Sequence, residues 1–370
     1  MKKNFPKMFR SRRPRVDVVL AFIVLLAAGV LMQQFGGDAR LLNALLGEPI
    51  AVSQQAAPHA TGHGGGESAA DEPALNAEIA HEELVAQLPL ADMPDSGEPV
   101  RFLMHNVQNY FVRGEEQRGR YVVKPKSEES CEAVADVIAY AKPAVVGLVE
   151  VGGPKALADL RARLAKRGLD YPYYRVVIRP GEDRALAVLS AYPIVHDDSV
   201  AQCRLYGKKN RRMLRGILDV TVQLPDKRLF RVVGAHLKSR VGDDPVAAAA
   251  QRNEESYTLA RHLHEAIKAA PKLPMVVYGD WNDGPTDESA KVLTQGIAAD
   301  TSLQCLSPVD SRGDRWTIYY AAGGEYNTFD RIYINKALGK RLGRRREGGV
   351  VDIPAGQTAS DHRAVWCELK

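Results

Sequence analysis

The sequence predicts an α+β fold in which two β-sheets pack face to face and helices cover their outer surfaces. Three observations support this prediction. Short apolar runs bounded by turn residues recur after residue 100, and only a few segments of helical periodicity lie between them. The 370 residues are 45% hydrophobic and 26% charged, which is enough to bury a large core and excludes wholesale disorder. Many strands with few helices are typical of a layered sandwich.

Nine segments have the apolar content and the flanking turn residues of strands. They are 101–107, 144–149, 173–178, 185–190, 216–224, 229–237, 275–280, 331–335 and 363–369. Three segments between them predict helices. Ser127 can cap a helix that runs to Ala141, and Pro154 can open a second one that ends before Gly168. The third helix is predicted over about residues 246–269.

The amino-terminal hundred residues predict three segments ahead of a globular domain at 100–370. Residues 1–16 carry seven lysines or arginines and no acid, which predicts a basic cytoplasmic segment. Residues 17–35 contain an apolar run from Val18 to Met32 and predict a membrane anchor or signal sequence. Residues 36–99 carry one arginine against eleven acids and predict an acidic, low-complexity linker.

Charge placement favours an uncleaved single-pass anchor at 17–35. The cationic end is then cytoplasmic by the positive-inside rule, and the globular domain faces the periplasm or the exterior. Fifteen apolar residues rise about 22 Å as a helix, which is short of a full hydrocarbon core. The alternative is a cleaved signal, with release of a secreted protein by cleavage near Ala39.

Cysteine spacing and net charge narrow the classes of partner. Cys131, Cys203, Cys305 and Cys367 lie far apart, which excludes a zinc cluster or a C-x-x-C redox site and leaves both disulfides and free thiols open. Residues 101–370 carry nine more basic than acidic residues. This surplus favours an anionic partner, although an ordinary solvated basic surface would have the same composition. No protein partner can be inferred.

Polar residues stand at the ends of the predicted apolar strands. Each has an ordinary explanation as a turn or core residue, but buried carboxylates cost several kcal/mol unless a metal or a cation compensates them. Together they predict one polar site at a common edge. The set comprises Asn106, Glu150, His236, Asp280, Asn282, Asp330, Asp361 and His362.

The order of these residues resembles the endonuclease/exonuclease/phosphatase superfamily, which includes deoxyribonuclease I. The resemblance rests on Gly-Asp-x-Asn at 279–282, Ser-Asp-His at 360–362, Asn-Val at 106–107, the strand-end Glu150, and Arg215 followed by glycine. It covers residues 101–370. It implies a four-layer α/β sandwich, two packed mixed sheets with outer helices, and Mg²⁺- or Mn²⁺-dependent hydrolysis of phosphate esters.

The same resemblance assigns a role to each residue. Glu150 and Asp361, with Asn106, are the implied metal ligands, and their hard oxygens suit Mg²⁺. Asp280 would orient or deprotonate the attacking water, and Asn282 would donate to the phosphoryl oxygens. The implied acid–base groups also include Asp330, which holds His362 against the phosphate, and His236, which contacts the phosphate or protonates the leaving oxygen.

Basic residues predict the substrate class. The segment His236-Leu237-Lys238-Ser239 is similar to that of secreted bacterial nucleases in the superfamily. Cationic clusters at 208–212 and 340–346 could neutralise phosphates or remain ordinary solvated loops. The predicted substrate contacts are Arg211, Arg212, Arg215 and Lys238. A nuclease acting on DNA or RNA is therefore the first prediction, a phosphodiesterase or phosphatase for lipid head groups the second, and a non-catalytic binding module the third.

Overall fold

The computed structural model describes residues 100–119, 123–241, 244–320, 324–343 and 347–369. The predicted basic segment, anchor and linker lie outside the described residues. None of the helices in the described ranges combines the length and the hydropathy that a membrane span requires.

The predicted sandwich of two mixed sheets with outer helices is confirmed. The first sheet has the strand order β13-β14-β1-β2-β4-β3. Its strands are β1 (Arg101–Tyr110), β2 (Val145–Val151), β3 (Tyr173–Val177), β4 (Ala185–Ser190), β13 (Gly348–Val350) and β14 (Val365–Glu368). Strands β1 and β2 are parallel, and the other pairs are antiparallel.

The second sheet has the order β5-β6-β7-β8-β12-β9, with β7 and β8 parallel. Its strands are β5 (Ile194–Asp197), β6 (Leu218–Gln223), β7 (Leu229–His236), β8 (Met275–Asp280), β9 (Gln304–Cys305) and β12 (Asp330–Ile334). A separate hairpin is formed by β10 (Ile318–Tyr320) and β11 (Glu325–Asn327).

The helices are α1 (Glu128–Ala141), α2 (Pro154–Ala165), α3 (Pro245–Ala269), α4 (Glu288–Gln295), α5 (Lys336–Leu342) and α6 (Ala355–Ala359). Ser127 caps α1 as predicted, because its hydroxyl accepts a hydrogen bond from the Ser130 amide at 3.1 Å. Apolar faces of α1 and α2 pack on the outer surface of the first sheet, and α3 covers the second. Sequence periodicity did not predict the short elements, which include the β10–β11 hairpin and helices α4 and α5, because segments of two to eight residues are too short to show a period.

Tyr278 of β8 lies between the two sheets. Its hydroxyl donates to the Ala187 carbonyl of the opposite sheet at 2.8 Å. Two glycines make room for the ring, since a Cβ atom would lie 2.6 Å from the ring at Gly147 and 2.5 Å from it at Gly234. Because neither glycine has a side chain, the two sheets can pack closely with the Tyr278 ring between them.

Substituting either glycine by alanine is expected to destabilise the fold. Gly147→Ala or Gly234→Ala should each lower the free energy of unfolding by about 1–3 kcal/mol, because the added methyl displaces a ring that is packed on both sides. Denaturant midpoints measure this effect. Gly356→Ala in α6 is the matched control: nothing lies within 4 Å of the added atom, and its midpoint should stay level or rise. Midpoints at Gly147 and Gly234 no lower than that of the control would contradict this packing argument.

Candidate active site

Topology brings the predicted strand-end residues to one edge of the sandwich, called here the catalytic edge. Parallel pairing aligns the ends of β1 with β2 and of β7 with β8, so His236 and Asp280 end neighbouring strands in register. Strand β12 runs the other way and begins with Asp330 opposite Asp280. Asn106 of the first sheet donates to Asp280 of the second at 3.0 Å, so both sheets contribute to a single site.

Asp280 is the centre of the site. Its Oδ1 accepts from the backbone amide of Asn282 at 2.9 Å, and its Oδ2 accepts from the Asn106 amide. The Nε2 atoms of His236 and His362 lie 3.6 Å and 3.9 Å from Oδ2. Burial, with the charge of Asp330, raises the pKa of Asp280 despite the opposing charge of His362. A carboxylate of raised pKa between two imidazoles is suited to accept a proton.

His362 is held by Asp330 as an imidazolium. Its Nδ1 lies 2.7 Å from Oδ2 of Asp330, so that nitrogen carries a proton and Nε2 faces the site. Burial would lower the pKa of His362, but the carboxylates of Asp330, Asp280 and Asp361 outweigh it and raise the pKa to about 10. The ring therefore presents a positive charge at neutral pH.

His236 has the opposite protonation state. Burial lowers its pKa well below the ordinary value, and the cationic charges of Arg215 and His362 lower it further. Its ring is neutral, with Nε2 at 3.9 Å from Oε1 of Glu150. Two histidines whose pKa values are pushed apart provide both a fixed cation and a group able to exchange a proton.

The predicted metal ligands offer hard oxygens. Oε2 of Glu150 accepts from the Asn109 amide at 3.0 Å, and its side chain is 16% exposed. The Asp361 side chain is 48% exposed, and Oδ1 of Asn106 already accepts from the Gln108 amide. The buried Oδ1 of Asn109 has no hydrogen-bond partner within the described residues. Oxygen donors with spare acceptor capacity fit a magnesium-type ion at Glu150.

A second donor set lies deeper in the site. Ligand atoms of Asp280, Asp330 and His362 are all within 4.8 Å of one another and could hold an ion. The hydrogen bond between Asp330 and His362 uses one of these donors already. Protonation of His362 therefore opposes metal binding at this deeper set.

Backbone conformation aims the site residues. Gln108, Asn109, Glu150 and Asn282 have φ between 46° and 67°, and they are four of the six non-glycine residues with positive φ in the described ranges. Such conformations cost about 1 kcal/mol for a residue such as glutamate and persist where surrounding contacts over-determine them. Their concentration at the strand ends is a property of this site that the sequence does not show.

Two buried charged residues hold the surrounding loops, and sequence reasoning missed both. Glu255 of α3 accepts from the Leu214 amide at 3.1 Å and from the Lys238 amide at 2.7 Å, which ties the loop before β6 and the loop after β7 to the helix. Arg331 donates to the carbonyls of Asp283 and Thr328 at 2.6 Å each. The signal that the sequence offered for both residues is a charged side chain at a position of a helix or strand that faces the core.

The predicted substrate contacts at the catalytic edge differ in burial and in their hydrogen-bond or ion-pair partners. Arg215 is buried and donates to the Leu237 carbonyl at 3.3 Å, whereas Lys238 turns its ammonium to the carbonyls of Ser239 and Val241. Arg211 pairs with Glu254 at 2.6 Å. Arg212 is exposed and, among the described residues, has no ion pair.

A basic cavity adjoins Glu150. It has a volume of about 480 Å³, and the cations lining it are Lys124, Arg179, Arg184 and Arg215. Nε of Arg184 lies 3.7 Å from Oε2 of Glu150, so the cavity is continuous with the predicted metal ligand. Glu182 and Asp183 also line the cavity, so its cations outnumber its carboxylates by two, and this surplus suits an anionic ligand.

The family follows from the sequence match and the fold. A profile described as the Endonuclease/Exonuclease/phosphatase family matches residues 105–346, and the chain belongs to this family. Its members are hydrolases of phosphate esters and are typically dependent on divalent metals. No match was found among curated proteins.

Solved structures of similar fold support the same architecture. The human Nocturnin catalytic domain with bound sulfate anion is 17% identical, with 73% of this chain and 93% of that chain covered at a TM-score of 0.52. An endonuclease/exonuclease/phosphatase from Bacteroides vulgatus is 14% identical, with 73% and 98% covered at a TM-score of 0.52. A beta toxin from Staphylococcus aureus is 17% identical, with 72% and 99% covered at a TM-score of 0.51. At these identities the likeness establishes the fold alone.

Proposed function

We propose that this chain is a metal-dependent nuclease that cleaves phosphodiesters of DNA or RNA outside the cytoplasmic membrane. The observation that carries the proposal is that the polar site lies between a basic cavity and a strip of aromatic rings. A nucleic-acid strand presents further phosphates and bases on both sides of each scissile bond. A small phosphate ester would leave both features without a ligand.

The aromatic strip consists of Trp316, Tyr319 and Tyr326 on and beside the β10–β11 hairpin. The ring of Tyr326 lies 5.0 Å from that of Trp316 and 4.6 Å from that of Tyr319. Tyr319 and Tyr326 are 42% and 62% exposed. Exposed rings beside a cationic site are typical of single-strand binding, where bases stack on them.

The hairpin is fixed directly to the catalytic residues. Thr317, which precedes β10, accepts from the Asp330 amide at 3.0 Å, and Ile318 forms a bridge with His362. Strand order places the strip on the β12 and β14 side of Asp280 and the basic cavity on the β4 and β6 side. A strand crossing the site would contact both.

The residues of the site have different roles in hydrolysis: some would hold the metal ion, and others bind the phosphate. Glu150 and Asp361, with Asn106, would hold a magnesium or manganese ion, which supplies Lewis-acid stabilisation of charge on a phosphate oxygen. His362 binds a phosphate oxygen through its protonated Nε2, and Asn282 can donate a second hydrogen bond through its amide.

Asp280 takes a proton from the attacking water, for which its raised pKa suits it. His236, neutral and 3.6 Å from Asp280, can accept at Nε2 the proton that Asp280 has taken from the water and then give it to the leaving oxygen. Arg215 adds positive charge beside His236 and disfavours its protonation until a phosphate arrives.

The aromatic strip predicts a preference that distinguishes nucleic acid from other esters. Tyr319→Ala combined with Tyr326→Ala should raise KM for single-stranded DNA roughly five- to a hundredfold, since the loss of one stacked base costs about 1–3 kcal/mol. Hydrolysis of a small chromogenic phosphodiester should be unchanged. Tyr140→Ala is the matched control, because Tyr140 is 63% exposed on α1.

A substrate panel with Mg²⁺ or Mn²⁺ tests the proposal itself. We expect the chain to cleave DNA or RNA. Its apparent affinity for a single strand should fall steeply with salt: for each phosphate contact, the logarithm of the binding constant should fall by about 0.7 per tenfold rise in salt concentration. Replacing Arg212 by alanine should flatten that slope. Turnover of phospholipid or phosphomonoester without cleavage of DNA or RNA would refute the nuclease assignment and favour the lipid head-group enzyme.

The proposed location is the cytoplasmic membrane, with 17–35 as a single-pass anchor and the catalytic domain facing outward. The charge pattern of residues 1–35 supports this. The chain should remain in the membrane fraction after alkaline carbonate washing, and external protease should reach its catalytic domain. A soluble form beginning near Arg40 would identify a cleaved signal and a secreted enzyme instead.

A further inference from the structure

Four lysines form a cluster on the edge of the sandwich opposite the catalytic edge. They line a cavity of about 520 Å³ and are called here the lysine face: Lys268, Lys272, Lys336 and Lys340. All four are exposed. The catalytic mechanism uses none of them.

Strand direction fixes the position of the lysine face. Strand β8 begins at Met275, soon after Lys272, and ends at the catalytic Asp280. Strand β12 begins at Asp330 and ends at Ile334, two residues before Lys336. At about 3.3 Å per residue, the two edges are separated by about 16 Å. Lys336 and Lys340 of α5 are therefore remote from the catalytic residues.

Asp300 also lines the cavity, so a single carboxylate there faces the four lysines. In the part of the chain that the structure describes, none of the four ammonium groups lies within 4.0 Å of a carboxylate oxygen. By contrast, Lys208 and Arg211 at the catalytic edge both pair with Glu254. Arg341 of α5 lies near Arg228, although Asp226 pairs with Arg228 and offsets its charge. Such a surface attracts a multivalent anion.

The globular domain is also entered at this edge. Val100 precedes β1, and its carbonyl accepts from the Leu369 amide at 2.8 Å, at the end of β1 away from Asn106. Val100 shares one apolar cluster with Leu338 and Leu342 of α5, which follow Lys336. The 99 residues before Val100 include the apolar run from Val18 to Met32 and its cationic flank.

We propose that the lysine face docks on the anionic phosphate head groups of a membrane and holds the catalytic edge away from the bilayer. The proposal rests on the membrane attachment proposed above. The chain joins the domain at this edge, and each lysine near an anionic surface strengthens attraction about fivefold. Nucleic acid fits this face less well, because a phosphate held there is about 16 Å from the catalytic residues.

Lysine acetylation of the full chain in lipid nanodiscs tests the docking. Discs of phosphatidylcholine alone are compared with discs that also contain phosphatidylglycerol, and mass spectrometry measures the reaction at each lysine. We expect acetylation of the lysine face to slow roughly tenfold in the anionic discs and to recover at high salt, where screening shortens the range of the attraction. Lys155 and Lys209, exposed and at the catalytic edge, should react equally in both discs.

A double variant tests whether the lysines act together. Lys268→Gln with Lys272→Gln should weaken docking roughly 25-fold, at about fivefold per charge, as reported by renewed acetylation of Lys336 and Lys340. Its turnover of a small soluble phosphodiester should equal that of the wild type, which shows that the variant folds and keeps the outcome separate from the nuclease assignment.

Three results would overturn the proposal. Equal acetylation of the lysine face in both kinds of disc excludes lipid docking. Protection that appears in neutral discs only when single-stranded DNA is added assigns the face to nucleic acid. Loss of the chain from the discs removes the attachment on which docking depends. Protection in anionic discs by a chain that cleaves no nucleic acid would support docking and refute only the nuclease.

Discussion

Glu150→Gln is expected to lower kcat/KM for phosphodiester hydrolysis by at least a factor on the order of 10³, with little change in stability without metal. The carboxylate is the predicted metal ligand, and glutamine keeps the acceptor for the Asn109 amide while it removes the negative charge. Asp361→Asn should have the same effect. Activity assays and Mn²⁺ titration should agree, since each variant weakens ion binding directly.

Glu368→Gln is a matched control for this substitution. Its carboxylate is 13% exposed and pairs with Arg101 at the far end of β1, so it resembles Glu150 in burial and not in position. The control should retain catalysis and Mn²⁺ affinity. Activity near that of the wild type in Glu150→Gln or Asp361→Asn would contradict the assignment of these residues as metal ligands. EDTA should abolish the activity of the wild type.

The acid–base residues are expected to behave as one unit. His236→Ala, Asp280→Asn and His362→Ala should each lower kcat about 10²- to 10⁴-fold. Because Asp280 lies within 4 Å of both imidazoles, double variants should lose little more than the worse single variant. If the losses of kcat in the single variants multiply in the double variants, at least one of the three residues acts independently of the other two.

Asp330→Asn should be milder and should also change the pH dependence. Asp330 holds the pKa of His362 at about 10, so its removal lets that pKa fall toward the ordinary 6.5. The cation then persists only to lower pH, and activity should decline on the alkaline side earlier than in the wild type. A titration of His362 by NMR measures the shift, and an unchanged pKa would contradict the role of Asp330.

The sequence by itself predicted the strand-end residues that the fold brings to one edge. An apolar strand that ends in a polar residue is a local pattern, and it identified Asn106, Glu150, His236 and Asp280 before their contacts were known. The helix starts at Ser127 and Pro154 were equally local, because capping depends on neighbouring residues. The metal, acid–base and substrate-contact roles remain predictions from the family resemblance.

Only the tertiary structure decided the charge states of the two histidines and the position of the lysine face relative to the catalytic edge. His236 is neutral and His362 charged because one is buried beside Arg215 and the other beside Asp330, and neither neighbour is close in sequence. The lysines of α5 lie far from the catalytic edge because β12 runs antiparallel to β8. Strand direction and burial arise from pairings between distant segments, and no local pattern of residues encodes them.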